Sequence, residues 1–207
     1  LTIALQEICK MRKEVTGKNK IDIILFDACL MAGIGTATIC YPYADYMTAS
    51  QEVVLGPGYN YWAMIKPLSK GIISPKTFAT HIIDSYMLTY APITQDYTES
   101  AFELKHTENL IASINKLSDL IIHYIKFDRQ NVIKKSICLC AHRQICTHFD
   151  EPSFIDLQHF LENLKIHTSK IQLKDLEDRD FYEEICDAIK IIQFNIKQLI
   201  IKNDKYL

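Results

Sequence analysis

The chain of 207 residues is 48% hydrophobic and 23% charged, and its formal net charge is −2. Such a composition is typical of a globular protein with a sizeable core, and the lack of a long basic run excludes nucleic-acid binding through a basic patch. The longest uncharged stretch, residues 28–44, contains two glycines and a proline, so it is a poor candidate for a membrane span.

The first half of the chain alternates helix and strand patterns. The predicted elements, in chain order, are a helix over about 1–16, a strand over 21–26, a helix over about 31–41, a strand over 46–50, a short helix over 61–68 and a helix over about 75–90. The last helix begins after Ser74, because serine is a good N-cap and the following Pro75 suits the first helical position. Strands that alternate with helices favour an α/β fold with a parallel sheet.

The second half is mainly helical. Its predicted elements are a polar loop over 92–100, a strand over 101–105 and amphipathic helices over about 110–124, 154–164 and 185–199. We therefore expect one domain that consists of an α/β catalytic half, residues 1–105, and a mainly helical supporting half, residues 106–207. No internal repeat or low-complexity linker separates the two halves.

The segment Phe26-Asp27-Ala28-Cys29-Leu30-Met31 directly follows the first apolar strand. In an open α/β sheet, ligands bind at the carboxyl edge of the strands, so this segment is a candidate site. A helix that starts soon after Cys29 would activate its thiol, and the free amides of that helix would stabilise an oxyanion. The alternative is an inert cysteine, since free cysteines are often buried and behave as small hydrophobic residues.

Four sequence blocks resemble the clostripain family of cysteine peptidases in their order and spacing. They are residues 26–31, Tyr43-Ala44-Asp45-Tyr46, Ala49-Ser50-Gln51-Glu52 and Gly56-Pro57-Gly58-Tyr59-Asn60-Tyr61. The likeness covers about residues 1–92 and extends more loosely to about residue 160. That family shares a superfamily with caspases, legumains and gingipains. The resemblance therefore implies a caspase-like α/β/α sandwich with a mostly parallel sheet and a helical C-terminal part.

The resemblance also implies the activity of a cysteine endopeptidase that cleaves peptide or protein substrates after Arg or Lys. Cys29 would be the nucleophile, and Asp27 would bind the basic P1 side chain, since carboxylates pair strongly with Arg and Lys. The alternative role for Asp27 is to cap the helix that follows. Gln51 and Glu52 match the family's substrate-groove stretch, and Trp62 is expected either to line that groove or to pack in the core.

The catalytic histidine of the resembling family lies upstream of the matched blocks, outside a sequence that starts at Leu1. We therefore expect an upstream segment or a separate light chain to supply the histidine. The family also implies autocatalytic processing, with Leu1 as a processed terminus. Two alternatives stay open: the chain is an incomplete fragment, or it is a catalytically inactive caspase-like binding module. None of the seven histidines lies in a motif that marks it as a substitute base.

The residues themselves indicate no cofactor. The resemblance implies calcium as a candidate cofactor, because some clostripain-like enzymes need it. The sequence, however, has no calcium-binding loop rich in Asp, Asn and Gly. The run Cys138-x-Cys140-x-His142-x3-Cys146-x-His148 contains possible zinc ligands, yet its spacing matches no common zinc module, so no metal ligand is predicted. Members of the family are often exported, and a secreted or periplasmic location is therefore expected.

Overall fold

The computed structural model describes residues 1–94, 96–126, 131–169 and 177–206. The chain divides into two compact units, one formed by Leu1–Glu108 with Lys197–Leu207 and the other by Asn109–Ile196. The elements of the first unit, in chain order, are α1 (Thr2–Thr16), β1 (Ile21–Leu25), α2 (Ile34–Cys40), β2 (Ala44–Ala49), α3 (Tyr61–Ile65), a 3-10 helix (Lys66–Lys70), α4 (Pro75–Tyr90), β3 (Tyr97–Glu103), a second 3-10 helix (Leu104–His106) and β4 (Ile200–Tyr206). All six elements predicted before residue 91 are thus present, with boundaries that differ by a few residues.

The sheet of the first unit has the strand order β1-β2-β3-β4. β1 and β2 are parallel, whereas β2 with β3 and β3 with β4 are antiparallel. The described sheet is therefore mixed, and the expectation of a mostly parallel sheet is wrong for this part of the chain. The cause lies in α4, which ends close to the loop after β2, where the Tyr90 hydroxyl donates to the Gly58 carbonyl at 2.5 Å. The short connection that follows makes β3 start at this edge and run back.

Helix α4 packs its apolar side against the sheet. Its residues Ile82 and Tyr86 lie in one buried cluster against Leu25 of β1, and Ile83 lies in a second buried cluster with Ala101 of β3. The start of α4 confirms the sequence prediction, because the Ser74 side chain accepts a hydrogen bond from the Thr77 amide and Pro75 occupies the first turn. α4 therefore covers one face of the sheet whose strand β1 leads into the candidate site.

Two strands of this unit differ from the sequence predictions. β3 begins at Tyr97, within the segment that was predicted to be a polar loop, and all of its seven residues are buried. β4 follows directly after the last helix, where no strand was predicted. Strand pairing explains both differences. β3 lies between β2 and β4 and is covered by α4, so its polar side chains are buried although the sequence pattern of this segment is typical of an exposed loop.

The second unit is helical, as predicted. Its helices are α5 (Thr107–Ile125), α6 (Val132–Cys140), α7 (Leu157–Thr168) and α8 (Glu177–Leu199), of which α5 begins and α8 ends in the first unit. A polar contact joins two of them, because the Asn195 side-chain amide lies 3.1 Å from the Asn109 carbonyl oxygen and 3.1 Å from the Ser113 hydroxyl. Among the described residues, no helix is long and apolar enough to cross a membrane.

Candidate active site

Cys29 lies in an exposed turn that follows β1. Two backbone hydrogen bonds hold this turn against the chain after β2: the Leu30 amide donates to the Glu52 carbonyl at 3.2 Å, and the Ala32 amide donates to the Ser50 carbonyl at 2.8 Å. Leu30 has a left-handed backbone with φ of 62°, a conformation that is uncommon for a residue other than glycine. These bonds hold the chain that follows Cys29, the Phe26 amide donates to the Thr48 carbonyl at 3.0 Å before it, and Cys29 itself is exposed.

The helix after Cys29 starts later than the sequence predicted. α2 begins at Ile34 with Gly33 as its N-cap, so residues 30–33 separate the thiol from the helix. The predicted start of this helix at about residue 31 is therefore three residues too early. The hydrogen-bond donor at the sulfur comes from another segment, because the Val54 amide lies 3.3 Å from Cys29 Sγ. The spacing of apolar residues could not reveal this contact, which depends on how the loop after β2 folds back.

Asp27 stands two residues before Cys29 and is exposed. The Tyr61 hydroxyl donates to Asp27 Oδ2 at 2.6 Å, and this hydrogen bond raises the pKa of Tyr61. Gly58 approaches the same carboxylate so closely that a Cβ at this position would lie 2.7 Å from Asp27 Oδ2. No side chain caps α2, so the alternative role of Asp27 as a helix cap is wrong. The carboxylate instead faces the loop that carries Gly58 and Tyr61.

Gln51 and Glu52 are half-buried beside the Cys29 turn. Their backbone amides both donate to Thr98 Oγ1, at 3.0 and 3.1 Å respectively, and this fixes the segment after β2 to the start of β3. The Glu52 carboxylate accepts a hydrogen bond from the Val53 amide at 3.0 Å. The structure therefore brings Gln51 and Glu52 to the same edge as Cys29.

Trp62 is 74% exposed at the start of α3, so core packing of this side chain is wrong. It directly follows Tyr61, whose hydroxyl reaches Asp27. In the part of the chain that the structure describes, no hydrogen bond links the Trp62 side chain to the Cys29 turn. Trp62 is thus next to the candidate site, while its neighbour Tyr61, which the sequence did not single out, makes the direct contact.

A group of buried tyrosines lies behind the loop at Gly58. The Tyr59 and Tyr86 rings are 4.9 Å apart, the Tyr86 and Tyr90 rings are 4.6 Å apart, and Tyr97 stands edge-on to Tyr86. We call Tyr59, Tyr86, Tyr90 and Tyr97 the tyrosine cluster. The Tyr90 hydroxyl bonds to the Gly58 carbonyl, and the Leu55 amide donates to the Tyr86 hydroxyl at 3.3 Å. The cluster therefore supports the loop that faces Asp27.

Glu99 of β3 lies against this cluster and is 0% exposed. Neither carboxyl oxygen of Glu99 nor the Tyr59 hydroxyl has a hydrogen-bond partner of good geometry among the described residues. Burial raises the pKa of Glu99 to about 8, and the nearby Tyr59 hydroxyl offsets part of this rise, while the negative charge of Asp27 adds to it. Burial and Glu99 together also raise the pKa of Tyr59. Sequence reasoning missed Glu99, because it placed this residue in a solvated loop.

Glu99 is expected to make the folded protein less stable as the pH rises. Because its pKa is raised on folding from 4.5 to about 8, the stabilisation by the protonated carboxyl is fully present below pH 4.5 and is lost as the pH rises towards 8. The loss is on the order of 4 kcal/mol. We expect Glu99→Gln to resist urea unfolding better than wild type at about pH 8, with a smaller advantage at about pH 5.

Glu103, at the other end of β3, provides a matched control of opposite sign. Burial alone would raise its pKa, but hydrogen bonds from Lys105 and Lys76 outweigh burial and leave the pKa lowered. Glu103→Gln should therefore destabilise the protein at neutral pH, and this effect should fade in acid. Equal pH trends for Glu99→Gln and wild type would contradict the assignment for Glu99.

The described residues contain no group of three or more His, Cys, Asp or Glu side chains that could hold a metal ion. In the run from Cys138 to His148, both ring nitrogens of His148 face backbone carbonyls, that of Pro152 at 2.8 Å and that of Ala141 at 2.9 Å. Such a histidine is engaged by the backbone and not oriented towards the cysteines. The described residues therefore offer no fitting donor set for zinc or calcium.

A model of the clostripain family matches residues 2–204 of the chain. The chain belongs to the clostripain family. It is 25% identical over 169 residues to clostripain from Hathewaya histolytica, and the matched region covers 67% of this chain and 31% of that protein. The chain thus spans about a third of the length of this curated relative. The family predicted from the four sequence blocks is therefore confirmed.

Solved structures of this family share the fold. A clostripain from Bacteroides thetaiotaomicron ATCC 29148, in complex with the peptide inhibitor BTN-VLTK-AOMK, has a TM-score of 0.56 at 15% identity, over 97% of this chain and 74% of that one. An inactive zymogen C11 protease from Parabacteroides distasonis has a TM-score of 0.58 at 15% identity, over 97% and 50%. A secreted C11 cysteine protease from Bacteroides thetaiotaomicron, with an irreversible peptide inhibitor, has a TM-score of 0.54 at 18% identity, over 94% and 47%. These likenesses confirm the caspase-like α/β class.

Proposed function

We propose that this chain is the cysteine-bearing part of an endopeptidase that cleaves after Arg or Lys. The observation that carries the proposal is the exposed turn after β1, which presents Cys29 and Asp27 together at the carboxyl edge of the sheet. Of the seven cysteines, Cys29 and Cys138 are exposed and the other five are buried. A nucleophile must be accessible and a structural thiol need not be, so the exposure of Cys29 supports it as the nucleophile over the five buried cysteines.

The proposed reaction is acyl transfer through a thioester. The Cys29 thiolate attacks the scissile carbonyl carbon, and a C–S bond forms while the carbonyl oxygen becomes an oxyanion. The Val54 amide, which reaches the site from the loop after β2 and donates to Cys29 Sγ at 3.3 Å, is proposed to turn to this charge as the sulfur becomes bonded to carbon. The C–N bond then breaks, and the amine leaves with a proton from an imidazolium. Water, deprotonated by the imidazole, hydrolyses the thioester and restores the thiol.

Asp27 is proposed to bind the basic P1 side chain. Its carboxylate is exposed, is oriented by the Tyr61 hydroxyl and lies two residues from the nucleophile. A carboxylate so placed forms charge-assisted hydrogen bonds with a guanidinium or ammonium group. The inhibitor in the Bacteroides thetaiotaomicron clostripain structure has the sequence VLTK, which ends in lysine. Gln51, Glu52 and Trp62 are proposed to line the groove for the neighbouring substrate residues.

The general base is proposed to be a histidine from an upstream segment or light chain. In the described part of the chain, the hydrogen bond at Cys29 Sγ comes from Val54 and not from a histidine. β1 is an edge strand of the described sheet, although four of its five residues are apolar, and such an edge favours pairing with a further strand. Ile3 and Val15 of α1 are 79% and 85% exposed. An upstream segment would cover these apolar surfaces and bring the base to Cys29.

Export of the enzyme and processing of a precursor are part of the same proposal. One structural relative is a secreted C11 cysteine protease, and another was solved as an inactive zymogen.

The proposal is tested with the full-length protein and fluorogenic peptides that differ only at P1. We expect cleavage of the Arg and Lys peptides and little cleavage of an otherwise identical peptide with the neutral Arg analogue citrulline. The intact mass and N-terminal sequence of every polypeptide in the sample identify the one that carries the histidine. A folded protein that binds the Arg peptide without cleaving it would support the alternative, an inactive binding module.

Gly58→Ala is expected to impair the enzyme, because Gly58 combines a left-handed φ of 68° with close approach to Asp27. An alanine there costs about 1–2 kcal/mol in backbone strain, and its Cβ displaces the Asp27 carboxylate. We expect kcat/KM for the Arg peptide to fall by about tenfold or more, about 1.4 kcal/mol. Gly56→Ala is the matched control, since nothing lies within 4 Å of a Cβ at Gly56. Equal activity of the two variants would show that this contact does not position Asp27.

A further inference from the structure

Asp27 and Glu99 lie level with each other across the sheet. Leu25 pairs with Thr48, and Thr48 pairs with Ala101. Two residues further along the same registers, Asp27 is level with Ser50 and Ser50 is level with Glu99. The ladder continues at least to the Phe26 amide, which donates to the Thr48 carbonyl at 3.0 Å. The two acidic residues are therefore two strand spacings apart, about 10 Å between their backbones.

Both acidic side chains lie on the α4 side of the sheet. Residues two apart in a strand share a face, so Asp27 shares the face of Leu25, and Glu99 shares that of Ala101. Leu25 and Ala101 both pack in the buried clusters that include residues of α4. The negative charge of Asp27 accordingly raises the pKa of Glu99. Asp27 is exposed, whereas Glu99 is fully buried next to Tyr59.

Next to Tyr59, buried polar atoms lack a hydrogen bond of good geometry among the described residues. Both Glu99 oxygens and the Tyr59 hydroxyl are buried and without a hydrogen-bond partner of good geometry. Buried polar groups without partners cost free energy and are rare in folded proteins. These atoms would accept N–H groups from a cation, and a guanidinium offers five N–H donors while an ammonium offers three. Aromatic rings such as Tyr59 and Tyr86 also attract a cation.

We propose that Glu99 is a second specificity-determining residue, which receives the charged end of the P1 side chain beyond Asp27. This inference rests on the proposed cleavage after Arg or Lys. Asp27 attracts the cation at the rim, and the long apolar stem of Arg or Lys packs along the tyrosine cluster. Entry of the cation makes Glu99 release its proton to solvent and ionise. The Glu99 oxygens thereby gain hydrogen-bond donors of good geometry that they lack without substrate.

The test uses the full-length protein with peptides that differ only in Arg, Lys or citrulline at P1. We expect Glu99→Gln to lower kcat/KM for the Arg peptide by about 10- to 100-fold, mainly through KM, and to leave the citrulline peptide within about twofold. Glu103→Gln is the matched control. It removes another buried carboxylate of β3, whose Oε2 atom lies 2.9 Å from Lys76 Nζ. This control should keep the Arg-to-citrulline ratio of wild type.

A pH profile separates recognition from a merely structural role. The pKa of Glu99 in the protein without substrate is about 8, so Glu99 ionises as the pH rises from about 6 to 9. The wild-type KM for the Arg peptide should therefore fall over this range. Glu99→Gln should lack this fall. Tyr59 and Tyr86 face Glu99 with raised pKa values, so they stay protonated in this range. Asp204 of β4, which is level with Glu99, is bonded to the Tyr97 hydroxyl at 3.1 Å.

The outcomes distinguish this inference from the proposed function. If wild type prefers Arg over citrulline and Glu99→Gln keeps both that preference and the pH profile, the role of Glu99 is overturned while the peptidase proposal stands. A wild type without preference for a basic P1 overturns both. Should Glu99→Gln fail to fold, Glu99→Asp decides, because its shorter side chain should shift the preference from Lys towards the longer Arg. An unchanged Arg-to-Lys ratio in Glu99→Asp would also overturn the inference.

Discussion

Cys29→Ala is expected to abolish peptide cleavage by the full-length protein. The thiolate is the group that forms the covalent intermediate, and no neighbouring residue can replace a missing sulfur. Loss of a nucleophile in a hydrolase typically lowers kcat by several orders of magnitude, and we expect a loss of at least about 10⁴-fold. The substitution should not disturb folding, because Cys29 is exposed and, among the described residues, its side chain accepts a hydrogen bond only from the Val54 amide. Cleavage of the Arg peptide and urea unfolding measure the two effects separately.

Cys138→Ala is the control for this experiment. Cys138 is the other exposed cysteine of the chain, whereas the remaining five are buried. Iodoacetamide should therefore label both Cys29 and Cys138 in the folded protein, but labelling only at Cys29 should remove activity. Cys138→Ala should keep full activity and should still be inactivated by the reagent. Residual cleavage by Cys29→Ala above about a thousandth of the wild-type rate would assign the nucleophile to another residue.

The elements that the sequence predicted well are those whose local signals agree with the fold. The start of α4 was visible because Ser74 and Pro75 suit a helix start whatever the helix packs against. β1 was visible because an apolar run between polar turns indicates a buried strand. β4 was missed because Ile200 and Ile201 continue the helical spacing of α8, and only pairing with β3 makes this segment a strand. Tertiary contacts override local pattern at such places.

The candidate site likewise has one part that the sequence predicted and one part that it did not. The position of Cys29 and Asp27 just after β1 was predictable, because both lie in one sequence block that directly follows an apolar strand. Their partners were not, since Val54, Gly58 and Tyr61 reach them from a separate loop whose conformation the spacing does not encode. Helix α2 was predicted three residues too early, and the small residues before it form part of the turn instead. The end of a strand can thus be predicted from the sequence, whereas the conformation of the loop that packs against it cannot.

Asp27→Asn is expected to remove the preference for a basic P1 residue. Asparagine keeps the shape of the side chain and can still accept the Tyr61 hydroxyl, which lies 2.6 Å from Asp27 Oδ2, but it carries no charge. Removing one partner of a close charge pair costs about 2–5 kcal/mol. We therefore expect kcat/KM for the Arg peptide to fall by about 10²-fold or more, whereas the citrulline peptide changes by only a few-fold. The measured quantity is the ratio of the two kcat/KM values.

Two further variants decide whether this effect belongs to Asp27. Tyr61→Phe removes the hydroxyl that orients the carboxylate and keeps the charge, so it should cost about 1 kcal/mol, or about fivefold in kcat/KM. Glu52→Gln removes the other acidic side chain of the groove, whose carboxylate already accepts the Val53 amide at 3.0 Å, and should leave the Arg-to-citrulline ratio nearly unchanged. If Glu52→Gln lowers that ratio more than Asp27→Asn, the P1 acid is Glu52. In that case Asp27 serves to hold Tyr61 and the loop at Gly58 against the Cys29 turn, because these are the contacts that its carboxylate makes in the free protein.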